Sequence, residues 1–174
     1  MDTQVITEDR DIILTRRFEA PRPLVWRAWT DPAMVAAWWG PEVFTTSVEM
    51  DVRDGGVCNL TMHGPDGDYP IDGTFEEVVE NELLVMVFTL DRHPPAWHEL
   101  IRNAFVEAGG HAESYVSGPV ITRVLFESDG DATLVTVRQH FPNTALRDAH
   151  VKLGNGIGWG QSFDKLDKVL AGAA

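Results

Sequence analysis

Two polar residues interrupt apolar strand patterns in the second half of the chain, and they are the first candidates for chemistry. Gln139 and Thr122 each lie in a run where apolar residues recur at every second position. Every second side chain of a strand points to the same face of its sheet. If buried, both polar groups need a hydrogen-bond partner, which a ligand, a water molecule or a core group could supply. The pattern is therefore compatible with a binding cavity and with an internally satisfied core.

The single cysteine, Cys58, alternates with Leu60 and Met62, which predicts a buried thiol on the apolar face of a strand. A nucleophilic cysteine needs a charged or basic neighbour that lowers the pKa of its thiol. No such neighbour can be assigned from the sequence, so we predict an inert thiol. One cysteine excludes an intramolecular disulfide and fits a reducing compartment.

Six histidines raise the question of a metal site. His93 and His98 lie across a predicted helix start, and His111 follows in a glycine-flanked loop. A zinc-binding helix places two histidines four residues apart, and these three lack that spacing. We therefore predict no bound metal and no other cofactor, with the histidines exposed in loops.

The glycine-rich run 154–160 has the composition of a phosphate-binding loop without its spacing. A dinucleotide fingerprint that began at Gly154 would require glycine where Trp159 stands, and no Lys-Ser or Lys-Thr pair follows as in a P-loop. Each glycine weakens a helix by up to about 1 kcal/mol. We therefore predict that the run 154–160 forms a kink in the last helix or a close backbone contact over a cavity.

Proline and apolar periodicity define the elements that position these residues. Residues 1–11 are polar and are expected to form a loose lead-in to a strand at 12–18. Pro21 and Pro32 begin two short helices, because proline suits the first helical turn. Further strands, separated by turn-type residues, are predicted at 43–50, 57–63, 69–79, 83–90, 119–128 and 132–141. We predict an α+β fold with an antiparallel sheet of six or seven strands.

A long C-terminal helix is predicted from Asn143 or Thr144 onward. Its apolar face is formed by residues spaced four, three and four positions apart, namely Trp159, Phe163, Leu166 and Leu170.

A further helix near 96–108 is predicted within an insertion at 91–119. Apolar residues fall at helical spacing there: Trp97, Leu100, Ile101, Ala104, Phe105 and Ala108. Two prolines precede the helix and two glycines follow it, which marks its start and its end. Its apolar face must be buried, either as a lid over the cavity of its own chain, which we favour, or as a homodimer contact.

Trp38 and Trp39 are expected to be mainly structural, at the end of the second short helix. Adjacent helical residues point about 100° apart. We therefore predict that one tryptophan is buried and that the other is partly exposed at the rim of the cavity.

Composition and charge restrict the partners. The chain has 174 residues, which suits a single domain over 1–174, and its formal net charge is −13. Nucleic acids and anionic membranes repel such a protein, so we predict neither as a partner. The sequence shows neither a signal-peptide pattern nor an apolar stretch of bilayer length. We expect a cytoplasmic protein.

Two groups of motifs at opposite ends of the chain carry a family resemblance. They are Phe18-Glu19-Ala20-Pro21, Val25-Trp26-Arg27-Ala28-Trp29-Thr30-Asp31-Pro32 and Trp38-Trp39-Gly40-Pro41, and then Gly158-Trp159 with Phe163, Leu166 and Leu170. In this order they resemble the START-like (SRPBCC) superfamily, in the branch of the homologues of the heat-shock-protein-90 ATPase activator. The resemblance implies a helix-grip fold, in which a curved antiparallel sheet wraps around a long C-terminal helix and often encloses a hydrophobic ligand. It supplies no catalytic residues.

Strand alternation and the helical stripe together predict a cavity between the sheet and the C-terminal helix. The candidate ligand-binding residues are Met62, Met86, Phe88, Trp97, Thr122, Phe126, Val137, Gln139, Trp159 and Phe163. We predict a small apolar or amphipathic ligand. One alternative is a protein-interaction module, such as a chaperone ATPase regulator in a stress response, whose exposed surface would carry the function. Another is an enzyme acting on a cavity-bound substrate, although no catalytic constellation is identifiable.

Overall fold

The computed structural model describes residues 2–173, so Met1 and Ala174, the ends of the expected domain, lie outside the described residues. Within 2–173 the chain forms eight strands and five α-helices. The strands are β1 (Gln4–Glu8), β2 (Asp11–Phe18), β3 (Thr45–Met50), β4 (Cys58–Gly64), β5 (Gly67–Val79), β6 (Leu83–Thr89), β7 (Val120–Asp129) and β8 (Ala132–His140). The helices are α1 (Arg22–Thr30), α2 (Pro32–Trp38), α3 (Pro95–Glu107), α4 (Thr144–Lys152) and α5 (Asn155–Ala173).

The strands of residues 2–173 form one open antiparallel sheet in the order β1-β2-β8-β7-β6-β5-β4-β3. Helix α1 packs against β7 and β8, and α5 packs against β2. The predicted α+β helix-grip architecture is confirmed, with one strand more than the six or seven expected.

The additional strand, β1, corrects the expectation that residues 1–11 are loose. Residues Gln4–Glu8 pair with β2 in antiparallel register, and Asp9 turns the chain with a φ of +51°. All five residues of β1 are exposed, so backbone hydrogen bonds hold the strand and no buried face marks it. An edge strand of this kind leaves no alternating apolar pattern in the sequence.

The two N-terminal helices follow from proline and a capping aspartate. Pro32 occupies the first turn of α2, and the Asp31 carboxylate accepts a hydrogen bond from the backbone N–H of Ala33 at 2.9 Å. Pro32 has no N–H for the carbonyl of Ala28, four residues earlier. The indole Nε1–H of Trp38 donates to that carbonyl at 2.8 Å. Trp38 thereby joins α1 to α2.

Both tryptophans of the Trp38-Trp39 pair are buried, with 0% and 8% of their surfaces exposed. The expectation that one is partly exposed is therefore wrong. Trp39 lies beyond the last residue of α2 in an extended conformation, with a φ of −66° and a ψ of 133°. The helical angle of about 100° between neighbours does not apply to it, and its ring turns into the core beside Trp29, with ring centroids 6.1 Å apart.

The predicted C-terminal helix is divided into α4 and α5 at Leu153 and Gly154. Gly154 adopts a φ of +91°, a conformation that glycine takes without strain. The predicted kink is thus found at the first glycine of the 154–160 run. The buried Arg16 side chain on β2 holds α5 in place by pairing with Asp164 at 2.8 Å and with Asp167.

Helix α3 is present at Pro95–Glu107, close to the predicted 96–108. Ile101, Ala104 and Phe105 are buried, and the helix packs against α4. Leu100, which we expected on the apolar face, is 59% exposed and points away from the core.

Candidate ligand-binding cavity

A cavity of about 250 Å³ lies between the sheet, the end of α2 and helices α3, α4 and α5. Its wall combines strand residues Met62, Ile71, Phe88, Val120, Thr122 and Gln139 with Trp39, His93, Trp97, Ile101, Phe141, His150, Asn155, Trp159 and Ser162 from helices and connections. The break at Gly154 also lies on this wall. The cavity therefore depends on the insertion and on the division of the C-terminal helix.

The structure places six of the ten predicted ligand-binding residues around this cavity. They are Met62, Phe88, Trp97, Thr122, Gln139 and Trp159. Strand alternation predicted four of them, the helical stripe predicted Trp159, and the periodicity of α3 predicted Trp97. Their contact with a ligand stays a prediction.

The other four residues, Met86, Phe126, Val137 and Phe163, lie in the packed core and do not line the cavity. They occupy the predicted faces, but other side chains fill the space in front of them. The ring of Phe126 packs against Trp26 with centroids 5.2 Å apart, and that of Phe163 packs against Phe18 at 5.4 Å. The Cys58 thiol fills the space beside Met86 at 3.9 Å. Alternation gives the face of a strand residue but not its position along the cavity.

Aromatic rings form one side of the cavity. The Trp39 and Trp159 rings meet edge to face with centroids 5.2 Å apart, and the Phe88 ring lies 6.1 Å from Trp39. Trp159 also stacks on the buried Trp29 ring at 6.2 Å. Such rings offer flat apolar contact surfaces to a planar molecule.

Polar side chains also line the cavity. Thr122 on β7 and Gln139 on β8 are direct cross-strand partners, and both are buried. His150 on α4 packs on Phe141 with ring centroids 4.7 Å apart. Thr122 Oγ1, Gln139 Oε1 and His150 Nε2 have no hydrogen-bond partner among the described residues. Buried polar atoms without partners are uncommon, and each needs an explanation.

His93 and His150 both pack against the Trp97 ring, with ring centroids 4.5 Å and 5.9 Å from it. Burial lowers the pKa of each histidine to about 4, and at His150 the repulsion that two protonated rings would exert on each other contributes to the lowering. Both imidazoles are therefore neutral at pH 7. The His93 ring nitrogen Nδ1 lies 2.9 Å from the carbonyl oxygen of Pro70.

These two histidines correct the expectation that the histidines are exposed in loops. His93 ends the connection after β6 and is covered by α3, and His150 faces inward from α4. Asn155 was not predicted in the cavity wall, and the sequence left open whether Trp38 or Trp39 would reach the cavity. The spacing of Leu146, Ala149 and His150 on one helical face could have indicated His150, because that face is buried.

Cys58 is buried, and burial raises the pKa of its thiol to about 12. The thiol is therefore protonated at neutral pH, as an unreactive cysteine is. No group of three or more His, Cys, Asp or Glu side chains that could hold a metal ion is found within residues 2–173. Over the same residues, no helix combines the length and the apolar character needed to cross a bilayer.

Solved structures share this fold over nearly the whole chain. A protein of Nitrosomonas europaea has a TM-score of 0.76 at 22% identity, covering 97% of this chain and 98% of that chain. A protein of Rhodobacter sphaeroides has a TM-score of 0.78 at 15% identity, with 99% and 100% coverage. Protein Ms6760 of Mycobacterium smegmatis has a TM-score of 0.75 at 18% identity, with 100% and 99% coverage. Identities this low show the fold alone. No curated protein matches the sequence.

An antiparallel sheet that packs on a C-terminal helix, with a cavity between them, defines a START-like helix-grip protein. The sequence profile of one family within this class, described as "Activator of Hsp90 ATPase homolog 1-like protein", matches residues 19–171. The chain belongs to that family, and the resemblance predicted from the end motifs is confirmed.

Proposed function

We propose that this protein binds a small, mainly apolar or amphipathic molecule in the cavity between the sheet and α5. One observation carries the proposal: a single cavity joins an aromatic wall to buried polar atoms without partners. Ligand sites have this composition, because apolar contacts give affinity and a few polar groups fix orientation.

The volume of the cavity limits the size of the ligand. A dry apolar cavity of about 150 Å³ holds benzene, and drug-sized ligands occupy pockets of about 300 Å³ or more. At about 250 Å³ the cavity suits a molecule of one or two rings with a substituent. A long lipid chain would need a larger space.

The chemistry of the wall favours binding over catalysis. The described residues of the wall include no carboxylate, amine or thiol. The Ser162 hydroxyl donates to the Gly158 carbonyl at 3.1 Å, so it is not hydrogen-bonded to either histidine of the wall. Under this proposal the protein acts as a cytoplasmic carrier or sensor of its ligand. The alternative functions are those of an enzyme and of a chaperone regulator.

Native mass spectrometry of gently purified protein, followed by solvent extraction of retained molecules, tests the proposal. We expect a retained small molecule, and binding of naphthalene when the extracted protein is titrated. Val120→Phe should abolish both, because Val120 lines the cavity and the larger ring fills it. Val43→Phe, at an exposed position, is the matched control and should leave both intact.

Two outcomes would contradict ligand binding. One is protein that retains nothing and binds no aromatic probe. The other is equal binding by the Val120→Phe and Val43→Phe variants, which would locate the probe outside the cavity. Turnover of the extracted molecule by the protein would indicate an enzyme. Stimulation of a chaperone ATPase that survives Val120→Phe would indicate a surface-mediated regulator.

A further inference from the structure

The cavity wall carries no formal charge at neutral pH. None of the described residues that line it is Asp, Glu, Lys or Arg. His93 and His150 are neutral at pH 7, because burial lowers the pKa of each to about 4. A charged ligand would lose its hydration there without meeting a counter-charge, which costs several kcal/mol. The wall therefore disfavours charged molecules.

Three polar side chains of this uncharged wall are connected by strand pairing and ring packing. Thr122 and Gln139 lie opposite each other on β7 and β8, so their Cβ atoms are about 4.5–5.5 Å apart. Phe141 is two residues beyond Gln139, and its ring packs against the His150 ring. We call Thr122, Gln139 and His150 the polar corner.

The polar corner has unused hydrogen-bonding capacity. Thr122 Oγ1, Gln139 Oε1 and His150 Nε2 each lack a partner among the described residues. A hydroxyl group donates and accepts, an amide does so through its two ends, and a neutral imidazole does so through its two nitrogens. A 180° rotation of the Gln139 amide exchanges its donor and its acceptor. A ligand group that both donates and accepts can therefore satisfy the corner.

We propose that the ligand is an uncharged aromatic alcohol or phenol. Its ring lies against Trp39, Phe88 and Trp159, and its hydroxyl group binds at the polar corner. The inference rests on the proposed function, because it assigns the chemical class of the molecule in the same cavity. It goes further in excluding molecules of the same size that are charged at neutral pH, such as aromatic carboxylates.

Three probes that share one ring system separate the contributions of the ring, the hydroxyl group and the charge to binding. Naphthalene, 2-naphthol and 2-naphthoate differ in a single substituent, and at pH 7.5 only 2-naphthoate is charged. Their dissociation constants are measured on the full chain by equilibrium dialysis. We expect 2-naphthol to bind about tenfold more tightly than naphthalene, the gain of about one hydrogen bond. We expect 2-naphthoate to bind at least tenfold more weakly than 2-naphthol.

Two nearly isosteric variants locate the hydroxyl group. Thr122→Val and Gln139→Leu should each weaken 2-naphthol about tenfold and leave naphthalene within about twofold. Thr136→Val, at a half-buried position that alternates with the buried face of β8, is the matched control and should change neither constant. Both corner variants remove a buried atom without a partner. Their melting temperatures should therefore not fall below that of the unmodified protein, which checks that they fold.

The outcomes distinguish this inference from the proposed function. If naphthalene binds and 2-naphthol gains nothing, or if 2-naphthoate binds as tightly as 2-naphthol, the inference fails and the proposed function stands. If neither naphthalene nor 2-naphthol binds, both fail. If 2-naphthol still binds about tenfold more tightly than naphthalene in both corner variants, its hydroxyl group binds elsewhere. That result would also overturn the inference.

Discussion

At the scale of single residues, two buried neutral histidines make stability depend on pH. The folded protein holds His93 and His150 with a pKa of about 4, whereas an unfolded histidine has a pKa of about 6.5. Between these values the unfolded chain binds more protons than the folded one. Stability therefore rises with pH in this window, and it falls as the pH drops from 6.5 towards 4. Below the pKa of the histidines in the folded protein, both the folded and the unfolded state are protonated. The loss of stability then no longer increases.

We predict that His150→Phe reduces this loss. Each histidine costs about 1.4 kcal/mol of stability per pH unit within the window, so roughly 2 kcal/mol between pH 6.5 and pH 5. The free energy of unfolding in urea is measured at pH 7 and pH 5, and the difference should shrink by roughly 2 kcal/mol in the variant. His111→Phe, at an exposed loop histidine, is the control and should leave the difference unchanged. An equal effect of both substitutions would contradict the assignment.

Trp38 gives a second prediction at this scale, because it fills the core and also satisfies the Ala28 carbonyl that Pro32 cannot bond. Trp38→Ala should lower the free energy of unfolding by about 3–5 kcal/mol. Trp38→Phe keeps most of the packing and leaves the carbonyl without a partner, so we expect a loss of about 1–3 kcal/mol. Chemical denaturation measures both. Losses under 1 kcal/mol in both variants would show that this contact is not structural.

The cavity residues that could be predicted from the sequence were those whose own strand or helix showed a periodic pattern. Thr122 and Gln139 interrupt alternating apolar runs, and both line the cavity. Met86 shows the same alternation and lies in the packed core, because neighbours from distant parts of the chain close the space in front of it. His93 lies in a connection and is buried against Trp97 and against Tyr69, which comes from a distant part of the chain. Such long-range contacts leave no local signal.

At the scale of elements, α3 forms part of the cavity wall. Trp97 and Ile101 line the cavity from α3, and the helix packs against α4 of the same chain. Leu100 and Val106 remain exposed on its outer face. The inner face is thus buried without a second subunit, which supports the proposal that α3 is a lid.

Substitutions on the two faces of α3 test the lid against the dimer. Trp97→Ala should weaken binding of 2-naphthol, or increase its dissociation rate, at least tenfold, because the cover of the cavity is lost. Leu100→Ala is the matched control on the outer face and should have no effect. Replacement of 93–111 by a short turn should abolish ligand retention without changing the oligomeric state, which size-exclusion chromatography with light scattering measures. A dimer that Leu100→Ala dissociates while binding persists would instead assign α3 to a subunit contact.

Element types were predictable where proline, capping residues and periodicity agreed. Asp31-Pro32 marked the start of α2, and the prolines before α3 and the glycines after it marked that helix within a residue or so. β1 was not predictable, because all its side chains are exposed and the backbone alone pairs it. The division between α4 and α5 needed the conformation of Gly154, which its residue type permits without requiring.

At the scale of the whole molecule, the charge of −13 acts against compactness. Some of the 27 acidic residues are paired locally, as where Arg16 pairs with Asp164 and Asp167, and where Arg92 pairs with Asp72 at 2.6 Å. Other carboxylates, including Asp66, Glu80 and Asp131, are exposed at turns. Their mutual repulsion favours the expanded unfolded chain. The same charge keeps anions away from the surface, which agrees with an uncharged ligand.

We therefore predict that moderate salt stabilises the protein. Raising KCl from about 0.01 M to 0.15 M shortens the Debye length from about 30 Å to 8 Å and screens repulsion between exposed carboxylates. A gain of about 1 kcal/mol would raise the melting temperature by about 2–4 °C in a chain of this size. Replacing Asp66, Glu80 and Asp131 together by Lys should raise the melting temperature at low salt and reduce the response to KCl. The corresponding triple change to Glu, Asp and Glu keeps the charge and serves as the control. If KCl lowers the melting temperature of the unmodified protein, local ion pairs outweigh the net repulsion and this account of the molecule's charge is wrong.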